Sequence, residues 1–157
     1  MSLLGDFGQG VDGCVYAAQR PFHPQRFCRL LSQEWAGVTR IKGFIWLASC
    51  MNIVGMWTWT EGNCTIFPAG RWWAAKPEEE WPASLAVRTM IRRSWDCKYG
   101  DRRQEVVFIG AEMDRAAIFA ALDALLLTEE EMAQGEATDW QCFADNSEVV
   151  EFGMLSQ

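Results

Sequence analysis

The spacing of apolar positions changes several times along the chain, and each change predicts an element. Val11 to Ala18 reads as a strand. Phe27, Leu30, Leu31 and Trp35 then recur at helical spacing behind Pro24, which suits a first helical turn because its missing N–H has no partner there to lose. Val38 to Ala48 and Ile53 to Thr60 read as paired strands across a short polar link. Glu61, Gly62 and Asn63 turn the chain into a third strand, Cys64 to Phe67. Pro68 to Glu80, with Gly70, Pro77 and three consecutive glutamates, reads as a surface loop carrying Trp72 and Trp73. Pro82 can open a short helix with Leu85, Met90, Ile91 and Trp95 turned inward. Val106 to Ile109 lacks polar alternation, as a central strand covered on both faces would.

Asp114 is suited to cap a helix whose apolar face is Ile118, Leu122, Leu125 and Leu126, and Thr128 with Glu131 has capping-box spacing for a last short helix. This order predicts an α+β fold: a mainly antiparallel sheet of about four to five strands with helices on one face, related to the ferredoxin-like topology. Strand order stays open. A length of 157 residues suits a single domain over residues 1–157, with its core at about 11–143 and a tail over 144–157.

A formal charge of −7 argues against general nucleic-acid binding, which needs a basic face, and Arg88, Arg92, Arg93, Arg102 and Arg103 read as a solvated, ion-paired stretch. No apolar run approaches a membrane span, and Met1 to Asp12 lacks the pattern of a signal peptide. These features predict a cytoplasmic protein without a membrane partner. The six cysteines include no Cys-x-x-Cys pair and read as reduced, mostly buried residues rather than a disulfide framework or a zinc knuckle.

His23 is the single histidine and stands where the first helix begins. Its imidazole could cap that helix, meet a partner domain or ligate zinc. The cap is favoured, because a zinc site takes three or four ligands and this motif supplies one. Asp101 to Glu105 gather charge, but neighbours in a strand face opposite ways and cannot converge as acid–base machinery. Arg102 or Arg103 is expected to anchor the start of that strand by an ion pair. Nine tryptophans are a heavy load, and with helices on one sheet face the other needs a cover or a partner. Trp72, Trp73, Arg102 and Arg103 are the candidate partner-binding residues.

Five ordered stretches resemble the C-terminal domain of CobW-type GTPases, a group of metal chaperones. They are Arg20-Pro21-Phe22-His23-Pro24, Gly37 to Ala48 with Lys42-Gly43-Phe44-Ile45-Trp46-Leu47-Ala48, Pro68 to Ala75, Asp101 to Gly110, and Leu126 to Met132. The resemblance runs from about Val11 to Phe143 and implies the same α+β arrangement. Neither the glycine-rich phosphate loop nor the Cys-x-Cys-Cys motif of the family's N-terminal GTPase domain occurs here, so a fragment or free-standing second domain is expected. The resemblance implies a regulatory or client-recognition role without catalysis, with a GTPase domain or subunit and a metalloprotein client as partners. GTP would then enter only through the GTPase partner. The alternatives are a small zinc-binding protein using His23 with cysteines or Glu78-Glu79-Glu80, and an enzyme, which the lack of a nucleophile–base pair disfavours.

Overall fold

A computed structural model describes residues 10–133 and the backbone of 150–153. Its centre is one six-stranded antiparallel sheet, in the order β1-β5-β2-β3-β4-β6. The strands are β1 (Asp12–Ala18), β2 (Val38–Ile45), β3 (Ile53–Thr60), β4 (Asn63–Arg71), β5 (Gln104–Gly110) and β6 (Val150–Gly153). The helices are α1 (Pro24–Leu30), α2 (Leu85–Arg93), α3 (Arg115–Asp123) and α4 (Glu129–Ala133). Because β5 is antiparallel to both neighbours, β1 and β2 run parallel and β5 splits their β-α-β unit. That split unit is the link to ferredoxin-like folds; the β3-β4-β6 extension is the departure. β6 falls in the stretch expected to be a tail and raises the strand number to six. The rest of that tail, with Cys142 and Phe143, lies outside the described residues.

Pairing register sorts the strand residues onto two faces. Cys14, Phe108, Ile41 and Trp59 stand in one row across β1, β5, β2 and β3, beside the row Tyr16, Val106, Gly43 and Trp57. Against this inner face pack Phe27, Leu30, Leu31 and Trp35 from α1 and the turn after it, and Ile118, Leu122 and Leu125 from α3. Side-chain period and burial agree, so register is fixed by the core. Gly43 is required by close approach: a Cβ there would overlap the Glu105 carbonyl oxygen and the Val106 Cα across the β2–β5 seam. Glu61 and Gly62, both at positive φ, make the turn between β3 and β4.

Caps stand where the residue types predict them. Asp114 accepts from the Ala117 N–H at 3.0 Å, and Thr128 and Glu131 exchange the two bonds of a capping box. Three of the five motifs meet at one end of the sheet. Phe22 bridges to Leu47 on one side and Leu126 on the other, its N–H donating to the Trp46 carbonyl and its carbonyl accepting from the Ala48 N–H. Gln104, fully buried at the start of β5, fastens this junction. Its Oε1 accepts from the Trp46 N–H at 2.9 Å, and its Nε2 donates to the Trp46 and Arg20 carbonyls at 2.7 and 3.0 Å.

Two expectations are overturned here. Val106 to Ile109 is central, but only Val106 and Phe108 are buried; Val107 and Ile109 on the other face are half-open. On α2 only Ile91 is buried, whereas Leu85 is 79% and Met90 64% exposed, and Trp95 is also exposed. Both departures have one cause: α1 and α3 cover the inner face, and α2 stands beside the outer face without closing it.

Candidate functional site

Arg40, Lys42 and Phe44 on β2 share the outer face with Ile109, Val107 and Glu105 on β5. Phe44 stands opposite Met56 of β3, which stands opposite Phe67 of β4. Phe44 is 38% exposed, although strand burial usually hides such a ring. These residues form a shallow groove, and Phe44 joins it to a second hollow that Val54, Trp72, Trp73, Met90 and Arg103 help to line. The outer face is therefore one continuous apolar depression walled by α2.

The wall is held by the stretch from Trp72 to Arg103. Asp101 is buried, and its two carboxylate oxygens accept from the Trp73 and Ala74 N–H groups at 3.0 and 2.9 Å, capping the 3-10 turn Trp73–Ala75 from across the loop. The Trp72 N–H donates to the Asn52 carbonyl at 3.1 Å. Trp81 donates its indole N–H to the Trp73 and Lys76 carbonyls, and its ring packs on Trp95 with centroids 5.4 Å apart. The loop expected over 68–80 is thus an extension of β4 and two 3-10 turns.

The candidate partner-binding residues divide accordingly. Trp73 is half-buried on the groove wall, with the Lys76 ammonium 4.8 Å from its ring centroid. Trp72 also borders the groove but is only 3% exposed, so the partly exposed ring expected on the loop is instead packed into the wall. Arg103 lines the hollow and pairs with Glu105 at 2.9 Å, the anchoring ion pair expected at the start of β5. Arg102 points away, donating to the Met51 carbonyl at 2.8 Å and the Asn52 amide oxygen at 2.9 Å. Phe44, Val54, Met56 and Met90 were missed, though the unbroken apolar run at Val106 to Ile109 signalled that this face also wanted burial.

His23 caps α1: its Nδ1 accepts from the Arg26 N–H at 3.3 Å, and its Nε2 lies 3.7 Å from a Glu131 oxygen. The same carboxylate takes two guanidinium bonds from Arg26, at 2.9 and 3.2 Å, tying α4 to α1. Burial, then the neighbouring Arg26 charge, hold the His23 pKa below its ordinary value. For Glu131 burial pushes upward, but the Arg26 and Thr128 hydrogen bonds prevail and its pKa is lowered. Among the described residues no three His, Cys, Asp or Glu side chains stand together where they could hold a metal ion. Cys14, Cys64 and Cys97 are thiols, Cys14 and Cys64 buried as expected and Cys97 exposed. Among the described residues no helix is long and apolar enough to cross a membrane.

Residues 11–126 match the family model described as the cobalamin synthesis protein cobW C-terminal domain. The chain belongs to this CobW C-terminal domain family. It is 36% identical over 140 residues to a zinc-regulated GTPase metalloprotein activator of Dictyostelium discoideum, covering 87% of this chain and 29% of that protein. It is 33% identical over 132 residues to a zinc chaperone of Mycobacterium tuberculosis, covering 83% and 32%. Among solved structures, the Zn(II)-bound YjiA GTPase of E. coli aligns with a TM-score of 0.53 at 17% identity, over 80% of this chain and 35% of that one, a likeness of fold alone. This CobW C-terminal domain spans about a third of the length of the relatives it matches.

Proposed function

We propose that this CobW C-terminal domain is the regulatory and partner-recognition part of a GTP-dependent metal chaperone, non-catalytic by itself, and that it works through the outer face of its sheet. The supporting observation is the asymmetry of the sheet. α1 and α3 seal the inner face, while Phe44, Met56, Val107 and Ile109 put apolar side chains on an outer face that no helix closes among the described residues. An apolar depression of this kind marks a contact surface. The occupants proposed are a GTPase domain or subunit and, through it, a metalloprotein client. GTP belongs to the GTPase partner and zinc to the cargo, in keeping with the names of the relatives. Trp73 and Arg103 on the wall are the sequence candidates this surface retains.

Calorimetry between this chain and a separately expressed CobW-type GTPase domain, loaded with GTP and magnesium, tests the reading. Binding is expected, and Phe44→Asp should weaken it at least about tenfold, the loss of a buried aromatic anchor, while the melting temperature stays close to that of the parent. No binding by the parent chain, or equal binding by Phe44→Asp, would remove the proposal.

A further inference from the structure

The lining of this face carries the opposite charge to the chain as a whole. Arg40, Lys42, Arg71, Lys76 and Arg103 are its five basic residues, against two acidic ones, Asp101 and Glu105, on a chain of formal charge −7. Both anions are engaged internally. Asp101 spends its two oxygens on backbone N–H groups, and Glu105 is held by Arg103. Arg40, Lys42 and Arg71 remain exposed around Phe44, and Lys76 lies over the Trp73 ring beside them.

From this charge pattern, and resting on the function proposed above, we infer that the segment received by the outer face is an acidic peptide stretch, with Asp or Glu interleaved among apolar side chains. The apolar strip along Phe44, Met56 and Val107 takes the apolar residues, and Arg40, Lys42 and Arg71 take the carboxylates at the rim. Rim charges of this kind select a partner and speed its approach more than they tighten the complex, so the preference is for sign as well as shape. A protein segment is favoured over a nucleic-acid strand because among the described residues the sheet offers one exposed ring, Phe44, where stacking of successive bases needs several, and because the net charge of the chain repels phosphate.

The test is selection of a random-peptide display library on the immobilised full chain, counter-selected on Phe44→Asp. Peptides rich in Asp or Glu between apolar residues should be enriched. A chosen binder should lose about tenfold in affinity to Arg40→Glu/Lys42→Glu, about the effect of losing two rim ion pairs with some added repulsion, and should weaken with added salt. Melting curves establish that both variants are folded. Neutral or basic peptides, no Phe44-dependent enrichment, an unchanged affinity for the charge-reversed variant, or displacement of the peptide by oligouridine would each overturn the inference. A GTPase domain that fails to bind while acidic peptides do would overturn the proposed function and leave the acidic preference standing.

Discussion

Gln104→Met should be among the costliest polar substitutions in this domain, although it nearly preserves side-chain volume. The amide is fully buried, with its oxygen on the Trp46 N–H and its nitrogen on the Trp46 and Arg20 carbonyls. The Trp46 carbonyl keeps a second donor, the Phe22 N–H at 2.9 Å, so it is not orphaned. The Trp46 N–H and the Arg20 carbonyl lose the bonds the amide supplied. At about 1–3 kcal/mol for the buried Trp46 N–H left unsatisfied, and less for the Arg20 carbonyl, whose bond is only part-buried, the loss is about 1–4 kcal/mol, a sizeable part of a usual domain stability of about 5–15 kcal/mol. Urea unfolding followed by circular dichroism measures it, with an unchanged slope showing that the folded and unfolded ensembles are otherwise alike. Gln104→Glu should cost more at neutral pH, because a carboxylate would face two carbonyl oxygens, and should partly recover in acid when a proton restores one donor. A loss below about 0.5 kcal/mol for Gln104→Met, within the range of surface changes, would refute the role of this amide as the fastener of the motif junction.

Trp72→Ala should destabilise by about 3–5 kcal/mol, like Phe108→Ala, since both rings are buried; denaturant midpoints that leave Trp72→Ala near the parent would show that its ring is dispensable. His23 and Glu131 should each contribute to the loss of stability in acid. Both pKa values are lowered in the folded state, so the unfolded chain binds protons more readily and stability is lost as pH falls, first below the ordinary histidine value of 6.5 and again below 4.5 for Glu131. Melting temperatures recorded down through pH 6.5 should decline less steeply in His23→Asn, which keeps a cap but does not titrate there; parallel declines would assign the effect to other groups.

Local signals were legible where one interaction decides the outcome. Pro24, Asp114 and the Thr128–Glu131 pair predict helix starts because a cap is a matter of a few adjacent atoms, and Ile53 to Thr60 is the strand predicted. The outer face was not legible residue by residue. Leu85, Met90 and Trp95 have the spacing of an inward helix face, but what they face depends on how α2 meets the sheet, a long-range fact. Gly70 and Pro77 on either side of Trp72 predict a surface loop, whereas the distant Asp101 folds that loop back as a capped turn. Phe44 is illegible for a related reason: in Lys42-Gly43-Phe44-Ile45-Trp46 apolar residues occupy both strand faces, and only the register shows which one stays open.

The position of β5 also decides when the sheet can close. Among the described residues β1 pairs with β5 alone, so Tyr16 must wait for Val106. As the chain emerges, β2, β3 and β4 can form their meander at once, because each hairpin joins adjacent segments. Among the described strands residues 12–18 meanwhile have no partner, and their backbone stays an open edge until the whole excursion from Trp72 to Arg103 has been made and folded back. Closure of the centre is then a high-contact-order event, slow beside the local steps before it. A newborn chain stalled before Gly110 presents an unsealed meander and a loose first strand, the kind of intermediate that chaperones hold and that aggregates without them.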